Sequence, residues 1–345
     1  MSRPILPPEW SPQSGVMLTW PHGHSDWRDV LQDVEPVYAR IAGHITRRER
    51  LLINCWDDAH IAHVTARLQA AGVDLHNVIC HAVQSNDTWT RDYGPLTVVQ
   101  DGKPQLLDFI FNGWGGKFDA ELDNQITRHL HRSGLFGRTT LDSVDTVLEG
   151  GSIEVDGRGS LLTTSNCLLA PTRNPGLDRA QIEERLRSWF GVTNILWLSH
   201  GHLMGDDTDS HIDTLARFCD PHTIAYVACD DPDDEHYAEL QQMEAELRTC
   251  RDMDGHAYKL VPLPWPAAKY DEMDGRRLAA SYANFLIING AVLVPTYDDP
   301  ADAETLRRLQ LCFPGREVIA VPCMPLIRQN GSLHCITMQL PAGVL

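Results

Sequence analysis

The sequence has no Cys-x-x-Cys pair, no glycine-rich loop ending in Lys-Ser/Thr, no His-x-x-x-His element and no surplus of basic residues. Each absence removes a class of protein. Nine cysteines stand scattered at positions 55, 80, 167, 219, 229, 250, 312, 323 and 335. An odd, unpaired set of this kind excludes a disulfide scaffold or zinc ribbon and suits the reduced thiols of a cytoplasmic protein. The opening "MSRPILPPEWSP" has four prolines and no apolar core, so no signal peptide is expected. No run reaches the ~18 apolar residues of a membrane-crossing helix, so no membrane partner is expected. Acidic residues outnumber basic ones 47 to 29, for a formal charge of -18. That field repels phosphate backbones and argues against nucleic acid, while it suits a small cation. The run "CDDPDDEHYAEL" (229–240) reads as a solvated acidic loop leading into a helix.

What is present describes an ordinary globular core: 345 residues, 43% hydrophobic, with nine Trp, eight Tyr and eight Phe spread along the chain. "GVMLTW" (15–20) reads as a strand, followed by a helix from about Ser25, as N-cap, to Ile45. "RLLINCW" (50–56) is a second strand, and 57–72 a helix closed by Gly72. Asp101-Gly102, Asp156-Gly157, Asp220-Pro221 and Asn289-Gly290 each separate two β-rich runs and read as hairpin turns, with positive φ expected at both residues of the Asp-Gly and Asn-Gly pairs. Helices at 176–190 and 300–313 follow two of the hairpins, and strands at 194–198 and 317–322 follow those helices. A hairpin–helix–strand unit thus recurs every ~50–70 residues, predicting one pseudo-symmetric α/β domain over 1–345.

Polar residues recur at odd offsets ahead of the turns. Asp92 lies nine before Asp101, Glu149 seven before Asp156, and His211 and Asp213 nine and seven before Asp220. If these segments are strands, the four side chains share one face and one end of the unit. Taken alone, Arg91-Asp92 in "NDTWTRDYGP" reads as a structural salt bridge. Eight cysteines read as core filler, but Cys335 follows the polar Asn330-Gly331-Ser332 turn, which could expose it at a strand start. "DDTDSHID" (206–213) could offer carboxylates and His211 to a divalent metal, although it lacks EF-hand spacing.

In order, "WTRDYGP", "DFIFNGWGGKF", "EGGSIEVDGRGSLLTTSNCLL", "TDSHIDTLARF" and "NGSLHCITMQLP" resemble the signature blocks of the agmatine deiminase family. These are relatives of bacterial peptidylarginine deiminases among guanidine-modifying enzymes. The resemblance runs from about residue 10 to the C-terminus and implies a five-bladed α/β-propeller of ββαβ repeats. It implies Cys335 as nucleophile, His211 as general acid and base, Asp92 and Asp213 as guanidinium-binding carboxylates, and Glu149 as a further acid. Neither metal nor other cofactor is implied. The implied reaction hydrolyses agmatine to N-carbamoylputrescine and ammonia, a step toward polyamines, through a thiouronium on Cys335. Nearby carboxylates should raise the Cys335 thiol until a guanidinium binds. Trp89 and Trp114 could wall the cleft around an aliphatic cation. Tyr93 and the Asn330-Gly331-Ser332 turn depart from the pattern, and touch specificity more than mechanism. Arginine, peptidyl-arginine, an amidino transfer, a metal-dependent hydrolysis or a binding role without turnover are the alternatives, and a homo-oligomer is compatible with all of them.

Overall fold

The structure is a computed structural model that describes residues 3–345. Its strands form five sheets on one hydrogen-bonding scheme, plus a two-stranded ribbon (Lys269–Tyr270 with Arg277–Leu278) that the sequence did not suggest. In four of the five, a hairpin is followed by a third strand running parallel to the hairpin's second arm. Leu96–Gln100 and Lys103–Ile110 pair antiparallel, and Thr140–Val147 joins them in parallel. The pattern repeats in Ile153–Val155, Ser160–Thr164 and Asn194–Leu198, and in Ala216–Asp220, Thr223–Val227 and Lys259–Leu263. Leu286–Ile288, Ala291–Thr296 and Glu317–Pro322 repeat it again. The fifth sheet joins the two ends of the chain. Thr337–Pro341 lies antiparallel to Gln13–Thr19, which runs parallel to Arg50–Cys55, and Val78–Ala82 adds a fourth strand.

A parallel third strand requires a crossover, which explains the helices. Arg179–Phe190 opens on a capping box between Asp178 and Gln181 and ends at Gly191, whose φ of 68° suits the left-handed cap. It buries Ile182, Leu186 and Phe190, spaced four apart along one face. The central strands Thr223–Val227 and Ala291–Thr296 are buried along their whole length, as strands covered on both faces should be. No helix among the described residues is long and apolar enough to cross a membrane.

Several local expectations need correction. Asp101 and Gly102 both take positive φ (49° and 74°), but Asn289 does not, and Asp156 lies in a longer turn whose left-handed residues are Gly157 and Gly159. Ser25 is not an N-cap: its hydroxyl donates to the His22 carbonyl, and the α-helix begins only at Leu31, after a 3₁₀ turn at Arg28–Val30. The second helix, Asp58–Ala70, is capped by Asp57 and does stop before Gly72 at φ 71°. In the acidic run, Asp230, Asp231 and Asp233 are exposed as expected ahead of Tyr237–Thr249, but Asp234 is drawn into an ion pair with Arg277.

The largest correction concerns the four polar residues. None lies in a strand. Asp92 sits in a helical turn (Thr90–Tyr93), Glu149 precedes a 3₁₀ turn (Gly150–Ser152), and His211 and Asp213 flank Ile212 at another (Ile212–Thr214). Residues 333–336, with Cys335, form a turn ahead of Thr337–Pro341. Each turn immediately precedes the first strand of its sheet, and the Glu149 turn packs on those of Asp92 and His211. The side chains meet because they occupy equivalent places in repeated units, not because strand alternation aligns them.

Candidate active site

Gly151 marks the meeting point. A Cβ added there would lie 2.6 Å from His211 Nδ1, 2.9 Å from Asp92 Oδ1 and 3.2 Å from Asp213 Oδ2. Only glycine leaves room for three polar groups from two different turns. Its own amide donates to Asp92 Oδ1 at 2.9 Å, while Asp92 Oδ2 accepts from Trp114 Nε1, also at 2.9 Å. Trp114 reaches this position through an unusual backbone. It takes φ 53° within a run of left-handed residues, Gly113 to Gly116, which three glycines make affordable.

Despite these two donors, the Asp92 carboxyl is pushed well above its usual range, first by burial and then by Asp213. Arg91 does not relieve it. The expected Arg91-Asp92 bridge is absent; Arg91 turns away to Gln339 and, at 3.6 Å, to Glu9. Asp213 is fully buried, with Oδ2 held at 2.7 Å by His334 Nδ1 and Oδ1 left without a partner.

His211 Nδ1 lies 3.5 Å from Asp92 Oδ1, and neither ring nitrogen makes a hydrogen bond. Burial drives its pKa down to about 3, against the opposing pull of Asp213. The imidazole is therefore neutral at rest. Cys335 is buried rather than exposed, at 5%. Its thiol receives Asn284 Nδ2 at 3.2 Å and lies 3.8 Å from Asp213 Oδ2. Burial, then Asp213 and Asp92, push the thiol far above its ordinary value, in the direction expected.

Glu149 stands one step back. Both its oxygens accept from Arg173 Nε, at 2.9 and 3.1 Å, and burial raises its carboxyl while Arg173 lowers it. Arg173 also binds Asp209 at 2.6 Å and the Thr208 carbonyl at 2.7 Å. This accounts for the acids of "DDTDSHID" (206–213) ahead of Asp213. Asp206 caps Thr208 and Ser210, Asp207 accepts from Asn330 at 2.9 Å, and Asp209 is tied to Arg173 and Lys117. Asp209 and Ser210 take φ of 66° and 68°, a strained pair that delivers His211 to the site. Asp206, Asp207 and Asp209 thus help to shape the loop. The donors closest to a metal set are instead Glu149, Cys167 and His211, whose ligand atoms lie within 4.8 Å of one another, but Arg173 already occupies Glu149.

Trp89, Trp114, Asp92 and Cys335 line one cleft together with Asp87 and Asp207. Trp89 packs on Trp27, with ring centres 5.6 Å apart, and donates to Asp87 at 3.0 Å. A Cβ on Gly331 would strike the Trp89 ring at 2.2 Å, so the Asn-Gly-Ser turn shapes the wall. Sequence reasoning missed Arg173, Asn284, His334 and Glu9. His334 was in plain view beside Cys335, but nothing local marks the other three.

Known proteins resemble this chain over nearly its whole length. The sequence profile of the Porphyromonas-type peptidyl-arginine deiminases matches residues 5–341. A Pseudomonas aeruginosa agmatine deiminase is 36% identical, over 98% of this chain and 95% of its own. A Porphyromonas gingivalis structure, provisionally named an arginine deiminase, superposes with a TM-score of 0.92 at 51% identity, covering 99% and 100% of the two chains. A cysteine-to-serine variant of a C. jejuni agmatine deiminase, with substrate bound, gives 0.90 at 40% identity, covering 98% and 96%.

Proposed function

The chain belongs to the Porphyromonas-type peptidyl-arginine deiminase family, and from that premise we propose that it hydrolyses agmatine to N-carbamoylputrescine and ammonia through a covalent intermediate on Cys335. Asp92 and Asp213 hold the guanidinium edges and fix its carbon for attack. The Cys335 thiolate adds to that carbon, and His211 carries the thiol proton to the departing nitrogen, which leaves as ammonia. A water, deprotonated by His211, then adds to the thiouronium; the C–S bond breaks and the ureido product forms. Glu149 and Arg173 hold the His211 loop, and Trp89 and Trp114 wall the aliphatic chain. We place this chemistry in one domain, residues 1–345, closed as a five-bladed propeller, acting in the cytoplasm without metal or other cofactor. Its partner is a small cationic guanidine.

One observation carries the choice of substrate: among the described residues no basic side chain lines the cleft, whereas Asp26, Asp87, Asp206 and Asp207 do. The carboxylate of free arginine would face four carboxyl groups, while the ammonium of agmatine finds matching charge. Burial pushes Asp207, with Asp206 reinforcing it, to about 6, so it is largely ionised at neutral pH and loses its charge below. The second reading, an arginine or peptidyl-arginine deiminase, draws on the Porphyromonas gingivalis relative. The test is product analysis with agmatine, arginine and a blocked arginyl peptide, EDTA present throughout. Ammonia and ureido product are expected from agmatine alone, and Asp207→Asn should raise KM roughly tenfold with kcat little changed. Preferred turnover of arginine or the peptide would overturn the substrate; loss of activity to EDTA would overturn the metal-free mechanism.

Gly151→Ala is a second check. Its methyl group would overlap His211 and Asp92, and kcat/KM should fall by about 10²-fold or more, because misplacement on the ångström scale is enough. A folded Gly151→Ala protein with full activity would show that those groups need not meet.

A further inference from the structure

His334 lies between two carboxylates. Its Nδ1 is 2.7 Å from Asp213 Oδ2, and its Nε2 is 2.7 Å from Glu9 Oε2. Both contacts are buried, and the His334 amide is fixed in turn by Asn284 Oδ1 at 2.8 Å. An ionised carboxylate only accepts hydrogen bonds, and a neutral imidazole has one N–H to give. Two short contacts therefore need two protons among three groups. Glu9 brings none: burial opposes its ionisation, but Arg217, His334 and Arg91 overcome that and hold its carboxyl well below the usual range. It also accepts from the Ile287 amide at 2.6 Å and from Arg217 at 2.9 Å.

The charge balance points the same way. Asp213, Glu9 and Glu154 are joined through His334, Arg217 and Arg91, with Arg217 bonded to both glutamates. All six are buried. With all three carboxylates ionised, three anions face two guanidinium groups, and a charged imidazole brings the cluster to neutrality where an unbalanced buried charge is costly. Burial, with Arg217 and Arg91, pulls the imidazole below its ordinary value against the opposing pull of Glu9 and Asp213. The geometry argues the other way, because a neutral ring can donate to only one of two ionised carboxylates at 2.7 Å.

We propose that His334 is a positioning residue: a standing imidazolium, anchored on Glu9, that holds Asp213 turned so that its second oxygen is free for the guanidinium. The unpartnered Asp213 Oδ1 is the atom left open by this arrangement. The inference rests on the reading of Asp213 as a guanidinium ligand, but the state of His334 can be read without any substrate. The charged groups acting on the ring are Asp213, Glu9, Arg91 and Arg217, while Asn284 holds the His334 amide.

The test begins with ¹⁵N-histidine NMR on the empty protein, His334 being assigned by comparison with His334→Asn. Two ring N–H signals at imidazolium shifts, unchanged between pH 6 and 8, are expected. A single N–H in that range would overturn the proposal. The second arm separates KM from kcat with agmatine. His334→Asn removes the charged link between Asp213 and Glu9, so Asp213 is held less firmly in place; KM should rise roughly tenfold with kcat changing less. An unchanged KM in a folded variant would leave His334 a packing residue. Failure of wild type to turn over agmatine would instead count against the functional reading, with the NMR result still standing.

Discussion

Cys335→Ala is expected to lower kcat by roughly 10⁵-fold, on the scale seen when a covalent catalyst loses its nucleophile, while agmatine still binds. The loss corresponds to about 7 kcal/mol of barrier. A guanidinium carbon is delocalised and already cationic, so water attacks it poorly and a sulfur nucleophile has much to contribute. Binding should survive because the groups proposed to hold the cation, Asp92, Asp213 and Trp114, keep their partners when the thiol is gone. The nearest substitute is Cys167, but it is buried beside Glu149 and Arg173 and its thiol is pushed far up, first by burial and then by Glu149. Cys167→Ala should therefore retain turnover. Calorimetric titration of Cys335→Ala with agmatine, set against turnover, separates the two effects. Acid-quenched wild type should also carry the mass of substrate less ammonia on the peptide containing Cys335. Near-normal turnover by Cys335→Ala would end the covalent mechanism.

How much of this was legible in the sequence depends on how local the signal was. Hairpins were readable because a two-residue turn carries its own chemistry: Asp101-Gly102 takes the conformation its residue types favour. Asn289-Gly290 keeps the hairpin while Asn289 stays out of the left-handed region, since the pairing of Leu286–Ile288 with Ala291–Thr296 sets the connection. Asp92, His211 and Asp213 stood out in ordered motifs and do converge at Gly151, but the reason they meet was misread. Short helical turns before the strands look, over three or four residues, like the strands themselves. Long-range partners left no trace. Glu9 is 325 residues from His334, and Arg173 reaches Asp209 from 36 residues away. A buried ion pair is written in sequence only as two charges among many.

Replacing His211 with asparagine should lower kcat by about 10²–10⁴-fold, the usual contribution of a positioned acid or base. The resting state explains why this residue must change roles. With its pKa down at about 3, the ring is an uncharged base at neutral pH, and the neighbouring thiol is still protonated. Burial dominates both shifts, and both disfavour a thiolate–imidazolium pair in the empty site. Substrate supplies the missing positive charge beside Asp92 and Asp213, and the thiol proton can then pass through His211 to the leaving nitrogen. The pH dependence separates this role from that of the carboxylates. Asp92 must be ionised to hold a guanidinium, and burial and Asp213 raise its carboxyl. For the wild type, kcat/KM should thus fall with decreasing pH as Asp92 takes up a proton, well above the range where His211 itself would titrate. In His211→Asn the same acid limb should remain at the same pH, on a rate lowered throughout. If the limb vanished with the imidazole, His211 rather than Asp92 would be the group that acid switches off, and the division of labour argued here would be reversed.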